Sequence, residues 1–166
     1  LELTPRTAHP TAWAELQHSL GDATYAATSL AEGSAVPGLR AAAVAAYRAA
    51  LEVRTREAHP REWAMTRSNL GAALGAQATE ADGAERSGLL GESIALYRSV
   101  LEVFVRATSP EDWARTQVNL ATALGAAIAP LLLSNFTVAA AFVPVGAAAI
   151  LLALGAFLLI RRLDAR

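Results

Sequence analysis

The sequence repeats itself at an interval of 50 residues, and this repeat limits the possible folds more than any other feature. Residues 1–50 and 51–100 are identical at 19 of 50 aligned positions without a gap, and the first half of a third copy follows. The landmarks are a Trp-Ala pair, a Leu-Gly or Leu-Ala pair and a Tyr-Arg pair. The Trp-Ala pair begins at Trp13, Trp63 and Trp113.

Each copy predicts two helices. The first spans about Pro60 to Glu80 in the second copy, where apolar residues follow helical spacing behind a proline that suits a first turn. The second spans about Ser87 to Ala107, with apolar steps of three and four, and 81–85 read as the intervening turn. In the third copy, Ser109 before Pro110 predicts an N-cap. Neither helix can bury its apolar stripe alone, which favours a stacked array of helix pairs.

These residues resemble tetratricopeptide repeats. The first helix of that family carries a Leu-Gly pair followed by a large residue, as at Leu70-Gly71 with Leu74, and the second carries a small residue and an aromatic, as at Ala43 and Tyr47. The period of 50 is similar to a long bacterial variant of the usual 34-residue repeat. The resemblance covers about residues 1–125 and implies an all-α, TPR-like solenoid of helix-turn-helix repeats that binds proteins on its concave face.

The resemblance also implies which residues line that face, because positions beside the Leu-Gly pair point into the groove. Asn69 and Asn119 correspond to a peptide-binding asparagine of related repeats, although the first copy has Ser19 there; the alternative is a packing contact between neighbouring helices. We therefore expect a protein or peptide partner to contact these asparagines and their neighbours Met65, Ser68, Ala72, Arg115, Val118 and Thr122.

The repeat pattern stops near residue 126, and no charged residue occurs between Ala126 and Ile160. We predict a linker at 126–137, a transmembrane helix at 138–160 and a basic tail at 161–166. Twenty-three helical residues span about 34 Å, enough to cross a hydrocarbon core of about 30 Å. Arg161 and Arg162 would lie among lipid headgroups. A helical hairpin turning at Pro144 is the alternative to this single span.

The arginine-rich end of the tail predicts a cytoplasmic C-terminus with the repeats on the other side of the membrane. The alanine- and arginine-rich, lysine-free composition indicates a bacterial protein, and hence the cytoplasmic membrane as its location. The chain begins with Leu1-Glu2-Leu3, which matches the end of a second helix. We therefore expect further repeats or domains upstream.

Several other functions find no support in the sequence. There is no cysteine, and His9 and His59 stand before helix-starting prolines, where they could act as N-cap substitutes or close the preceding helix; they predict no metal site. Acidic and arginine side chains alternate, so no basic face for nucleic acid forms. The three tryptophans are predicted core residues. No catalytic constellation and no cofactor motif is visible, so we expect a protein that is not an enzyme.

The sequence thus favours a membrane-anchored scaffold or adaptor that recruits a partner protein or peptide. Two alternatives remain at this level. The tail could form a homo-oligomeric bundle or pore through small residues such as Ala149 and Ala153, with the repeats as its soluble part. The chain could also be the regulatory part of a larger signalling protein.

Overall fold

The computed structural model describes residues 6–142, with side chains described except at positions 131 and 134–142. Within this range the protein is all-α, with five helices and no strand. The helices are α1 (Pro10–Ala27), α2 (Ala35–Leu51), α3 (Pro60–Gln77), α4 (Gly83–Val100) and α5 (Pro110–Phe142). Each of the first two sequence copies therefore forms one helix pair, as predicted, and the third copy contributes α5.

The starts of α1 and α3 are almost identical in geometry. A proline occupies the first turn of each, where its missing N–H costs nothing. The preceding histidines, His9 and His59, have φ/ψ of −138°/65° and −141°/62°. They occupy the N-cap position, but neither ring makes a capping hydrogen bond. The capping role predicted for these side chains is therefore wrong, and only their carbonyls take part, accepting the N–H groups of Trp13 and Trp63.

The second helix of each copy follows a tight turn that uses a glycine at positive φ, Gly33 at 59° and Gly83 at 53°. Helix α4 begins at Gly83 and ends at Val100, so the predicted span from Ser87 to Ala107 is displaced. The apolar spacing continues past the helix end because Phe104 packs from the following turn against Val100, and is only 2% exposed.

The main core lies where α2, α3 and α4 meet. Tyr47 and Leu74 are each 1% exposed there, and burial of each such side chain stabilises the fold by about 1.5–3 kcal/mol. Alanine fills the closest approaches between the helices. The buried members of this cluster are Ala43, Val44, Tyr47, Leu70, Ala73, Leu74 and Leu96.

The repeated tryptophans are only partly buried, which corrects their prediction as core residues. Each indole is covered by the guanidinium of the arginine seven residues before it, with centroid distances of 5.2, 5.8 and 5.7 Å. Such cation–π contacts contribute about 0.5–1 kcal/mol at exposed sites. The pairs are Arg6–Trp13, Arg56–Trp63 and Arg106–Trp113.

Helix α5 continues from Pro110 to Phe142 with Pro130 inside it, so the segment 126–137 predicted as a linker is helical. By contact density the chain divides into two units, Leu1–Ala127 and Ile128–Arg166. No helix within residues 6–142 combines the length and hydropathy needed to cross a membrane. The predicted transmembrane helix at 138–160 lies outside the described residues from position 143 onward, as do Arg161 and Arg162.

Candidate functional site

The first helices of the copies, α1, α3 and α5, contribute to two adjoining openings within the Leu1–Ala127 unit. The smaller one, of about 150 Å³, lies where α1, α2 and α3 meet and is called the first opening. Its lining residues are Asp22, Tyr25, Ala26, Tyr47, Asn69 and Ala72. It is built around hydrogen bonds between three of these side chains.

A single carboxylate organises the first opening. Asp22 Oδ1 accepts a hydrogen bond of 2.8 Å from the Tyr47 hydroxyl and another of 2.8 Å from Asn69 Nδ2. Hydrogen bonds to an ionised acceptor are about twice as strong as neutral ones. Asp22 therefore joins α1 to both α2 and α3, and Asn69 has a packing role in addition to its position on the predicted binding face.

A buried histidine extends this network into the α1–α3 interface. His18 is 9% exposed, with Nε2 3.4 Å from Asp22 Oδ2 and Nδ1 3.1 Å from the Thr66 hydroxyl. Arg54 Nη1 donates to the same hydroxyl at 3.0 Å. Burial lowers the pKa of His18, nearby Asp22 opposes that change, and Arg54 adds to it. The ring is therefore held in its neutral form.

Tyr47 is locked as a hydrogen-bond donor. Burial is the main cause that raises its pKa far above the ordinary value, and the hydrogen bond to Asp22 acts in the same direction. The ring packs against the backbone of Gly21 and lies 5.7 Å from the His18 ring, centroid to centroid. Its hydroxyl therefore points at the carboxylate at any physiological pH.

The larger opening, of about 330 Å³, is called the second groove. It lies among α3, α4 and α5, with Tyr25 of α1 at its edge. Apolar atoms form most of its surface, and its polar groups are hydroxyls and one amide. Burial raises the pKa of Tyr97 to about 12, so this hydroxyl also stays protonated. The remaining lining residues are Gly71, Ala72, Gly75, Ala76, Thr79, Leu90, Ser93, Asn119, Thr122, Ala123 and Ala126.

The residues predicted to bind a partner are divided by these two openings. Ala72 lines both, Asn69 lines the first opening, and Asn119 and Thr122 line the second groove. The other four line neither of the two: Ser68 is buried at 7% exposure, Met65 and Val118 are 38% and 65% exposed, and Arg115 is exposed and paired with Asp112 on its own helix at 2.5 Å.

Two kinds of residue were missed by sequence reasoning. The tyrosines of the second helices, Tyr47 and Tyr97, were read as repeat landmarks, yet both line the openings. Asp22 was not singled out at all. The available signal was a difference between copies, because the position that holds Asp22 in the first copy holds Ala72 in the second and Thr122 in the third.

In the described part of the chain, the two openings are lined by hydrogen-bonding and apolar side chains. Within residues 6–142, no group of three or more metal-ligating side chains is placed to hold an ion. The chain matches no protein-family model, no curated protein and no solved structure. Its function must therefore be argued from the two openings and from the sequence pattern.

Proposed function

We propose that this protein is a membrane-anchored scaffold whose helical repeats, arranged as a TPR-like solenoid, bind a partner protein or peptide on the face lined by α1, α3 and α5. The resemblance of residues 1–125 to tetratricopeptide repeats favours this fold and this kind of function. The partner contacts the openings beside Asn69, Asn119 and Thr122, and no catalysis is involved.

The observation that carries this proposal is the second groove. Its volume of about 330 Å³ falls in the range of small-molecule and side-chain sites, and it combines apolar walls with a few convergent polar groups. It is bounded by α3 and α5, the helices that the resemblance assigns to the binding face. The adjoining first opening extends the same surface toward α1 through Ala72.

Site-specific photo-crosslinking in cells tests this binding face. A benzophenone amino acid at Thr122, which lines the second groove, is expected to capture a defined partner. The same group at Ala95, exposed on α4 away from the groove lining, is the matched control and is expected to capture none. Equal capture from both positions, or capture from Ala95 alone, would remove the assignment of this face.

The anchor half of the proposal rests on the sequence. The 23 residues Val138 to Ile160 contain no charge, and Arg161 and Arg162 follow at once. A run of this length and composition is typical of a single membrane span. The bilayer then holds the repeats, and whatever they bind, at the membrane surface. Fractionation of the full chain against residues 1–127 tests this half independently of the partner.

A further inference from the structure

The two openings occupy equivalent positions in successive copies of the repeat. Every residue that lines the first opening has its counterpart 50 positions later in the lining of the second groove. The six counterparts are Ala72, Gly75, Ala76, Tyr97, Asn119 and Thr122. The two openings are therefore equivalent in lining and can be compared directly, although His18, whose Nε2 lies 3.4 Å from Asp22 Oδ2, has Ser68 as its counterpart.

The hydrogen-bond donors of the site are kept, while its acceptor is lost. Tyr97 stands where the first copy has Tyr47, and Asn119 stands where it has Asn69. The carboxylate that both donors reach in the first copy is replaced by the methyl group of Ala72. Among the described residues, no carboxylate accepts from the Tyr97 hydroxyl or from the Asn119 amide in the way that Asp22 accepts from their counterparts; the hydrogen-bond neighbour of the Tyr97 hydroxyl is the Ser93 side chain.

The second groove also lacks the counterpart of an aromatic ring that lines the first opening. Tyr25, three residues after Asp22, has Gly75 as its counterpart. A Cβ placed on Gly75 would have as its nearest neighbour Ser93 Oγ at 3.8 Å, an ordinary contact distance, so there is space above this glycine. The second groove, at about 330 Å³, is larger than the first opening, at about 150 Å³, and both replacements act in that direction.

We propose that the second groove binds an acidic side chain of a partner peptide, with its carboxylate between Tyr97 and Asn119 where the first copy holds its own aspartate, and an aromatic side chain of the same peptide over Gly75. The first opening is the internal precedent, because there the chain itself supplies both groups. This inference rests on the proposed function and names the chemistry that the binding face recognises.

Several properties of the groove fit this occupant. A carboxylate accepts two hydrogen bonds on one oxygen in the first copy, and apolar walls strengthen such bonds by excluding water. The apolar walls, which include Leu90, Ala76 and Ala123, suit an aromatic ring.

The first experiment titrates the full-length protein, in detergent micelles, with a defined probe. The probe is the blocked hexapeptide acetyl-Gly-Asp-Ala-Ala-Tyr-Gly-amide, and the matched control peptide has Asn in place of Asp. Calorimetry is expected to show binding of the Asp peptide at least about tenfold tighter than binding of the Asn peptide, since hydrogen bonds to a charged group are lost in the control. Equal affinities, or no binding of the Asp peptide, would overturn the inference.

The second experiment places a carboxylate of the chain itself in the second groove. Ala72→Asp restores the carboxylate of the first copy and is expected to abolish probe binding while raising the thermal unfolding midpoint, because Tyr97 and Asn119 gain an internal acceptor. Asn119→Ala is expected to weaken binding about tenfold without that rise in the midpoint. Unchanged probe affinity in Ala72→Asp protein, with its midpoint at or above that of the wild type, would contradict the proposed position of the carboxylate.

These outcomes separate the inference from the function on which it depends. If Thr122 captures a partner in the crosslinking experiment while the Asp and Asn peptides bind alike, the binding face is correct and carboxylate recognition is wrong. If the Asp peptide binds selectively but Thr122 captures nothing in cells, the groove recognises carboxylates and the scaffold function is wrong.

Discussion

At the scale of single residues, the Leu-Gly landmark exists because of the tyrosine that follows it in the next helix. A Cβ on Gly21 would lie 2.5 Å from Tyr47 Cε1, and one on Gly71 would lie 3.0 Å from Tyr97 Cζ. Both rings are buried and flanked by packed side chains, so they have little room to move. The third copy has Ala121 at this position. Sequence comparison found the landmark, while its cause, a ring from another helix, required the structure.

Gly21→Ala is expected to destabilise the protein by about 1–3 kcal/mol, because the added methyl group overlaps a rigid, buried ring. The control is Gly88→Ala in α4, where nothing lies within 4 Å of the new Cβ. That change is expected to stabilise by about 0.5–1 kcal/mol through helix propensity. Urea unfolding followed by circular dichroism measures both, and effects of the same sign and size would refute the explanation.

His18 makes stability depend on pH in a defined direction. Its pKa in the folded protein lies below the reference value of 6.5, so the unfolded chain binds the proton more readily. Well above pH 6.5 the His18 ring is neutral in both states and does not affect the pH dependence of stability. As the pH falls below 6.5, His18 takes up a proton in the unfolded chain first, and the free energy of unfolding decreases. The decrease levels off once the pH is below the pKa of His18 in the folded protein.

The corresponding variant is His18→Asn, which keeps a polar side chain beside Asp22 and Thr66. It is expected to lose less stability than the wild type between pH 7 and pH 5, since the two proteins differ only at position 18 and the lowered pKa belongs to His18. Unfolding midpoints in urea across this range provide the measurement. Parallel pH profiles for the two proteins would show that His18 is not responsible.

At the scale of helices, the sequence predicted the pairing well and the boundaries poorly. Periodicity located the helix pairs because the apolar residues of α2, α3 and α4 face the main core, and the prolines marked the starts of α1, α3 and α5 correctly. It misplaced the end of α4, because the buried Phe104 continues the apolar spacing beyond the last helical turn. The Asp22–Tyr47–Asn69 junction could not be predicted either, since it joins residues of three helices that only packing brings together.

Contacts between copies also differ in strength in ways that sequence does not reveal. Arg40 of α2 donates to the Ala76 carbonyl in the last turn of α3 at 3.1 Å and pairs with Glu80 at 2.6 Å, with its side chain only 18% exposed. Arg48 of the same helix pairs with Glu92 at 2.9 Å, but is 54% exposed. Arg40 therefore places a cation at the negative end of a helix, where it is most favourable, on a carbonyl that also accepts from Thr79.

Arg40→Gln is accordingly expected to cost about 1–2 kcal/mol, and Arg48→Gln less than about 0.5 kcal/mol. Both replacements remove one positive charge from the same helix, so the pair controls for net charge and for helix propensity. Thermal unfolding at low and high salt measures the two losses. A cost for Arg48→Gln that equals the cost for Arg40→Gln would show that exposure and the contact with Ala76 do not matter.

At the scale of the whole molecule, the chain joins two stretches of opposite character. Residues 1–125 contain all the charges that precede position 161, and within them α1 to α4 form two helix pairs. The stretch from Ala126 to Ile160 has none. The repeat predicted the helix pairs of the first stretch, because its recurring apolar residues pack neighbouring helices against each other. The second stretch departs from the repeat, and its uncharged composition is the feature that suggests a bilayer.

Membrane fractionation tests that proposal. Full-length protein expressed in bacteria is expected to sediment with membranes and to resist extraction by alkaline carbonate, while residues 1–127, the first of the two units, are expected to stay in the supernatant. Ala149→Arg places a charge at the middle of the predicted span, at an insertion cost of about 2.5–3.5 kcal/mol, and should shift protein from the resistant to the extractable fraction. Full-length protein that carbonate extracts completely, or that stays soluble without detergent, would rule out the span and leave the repeats as the whole of the functional proposal.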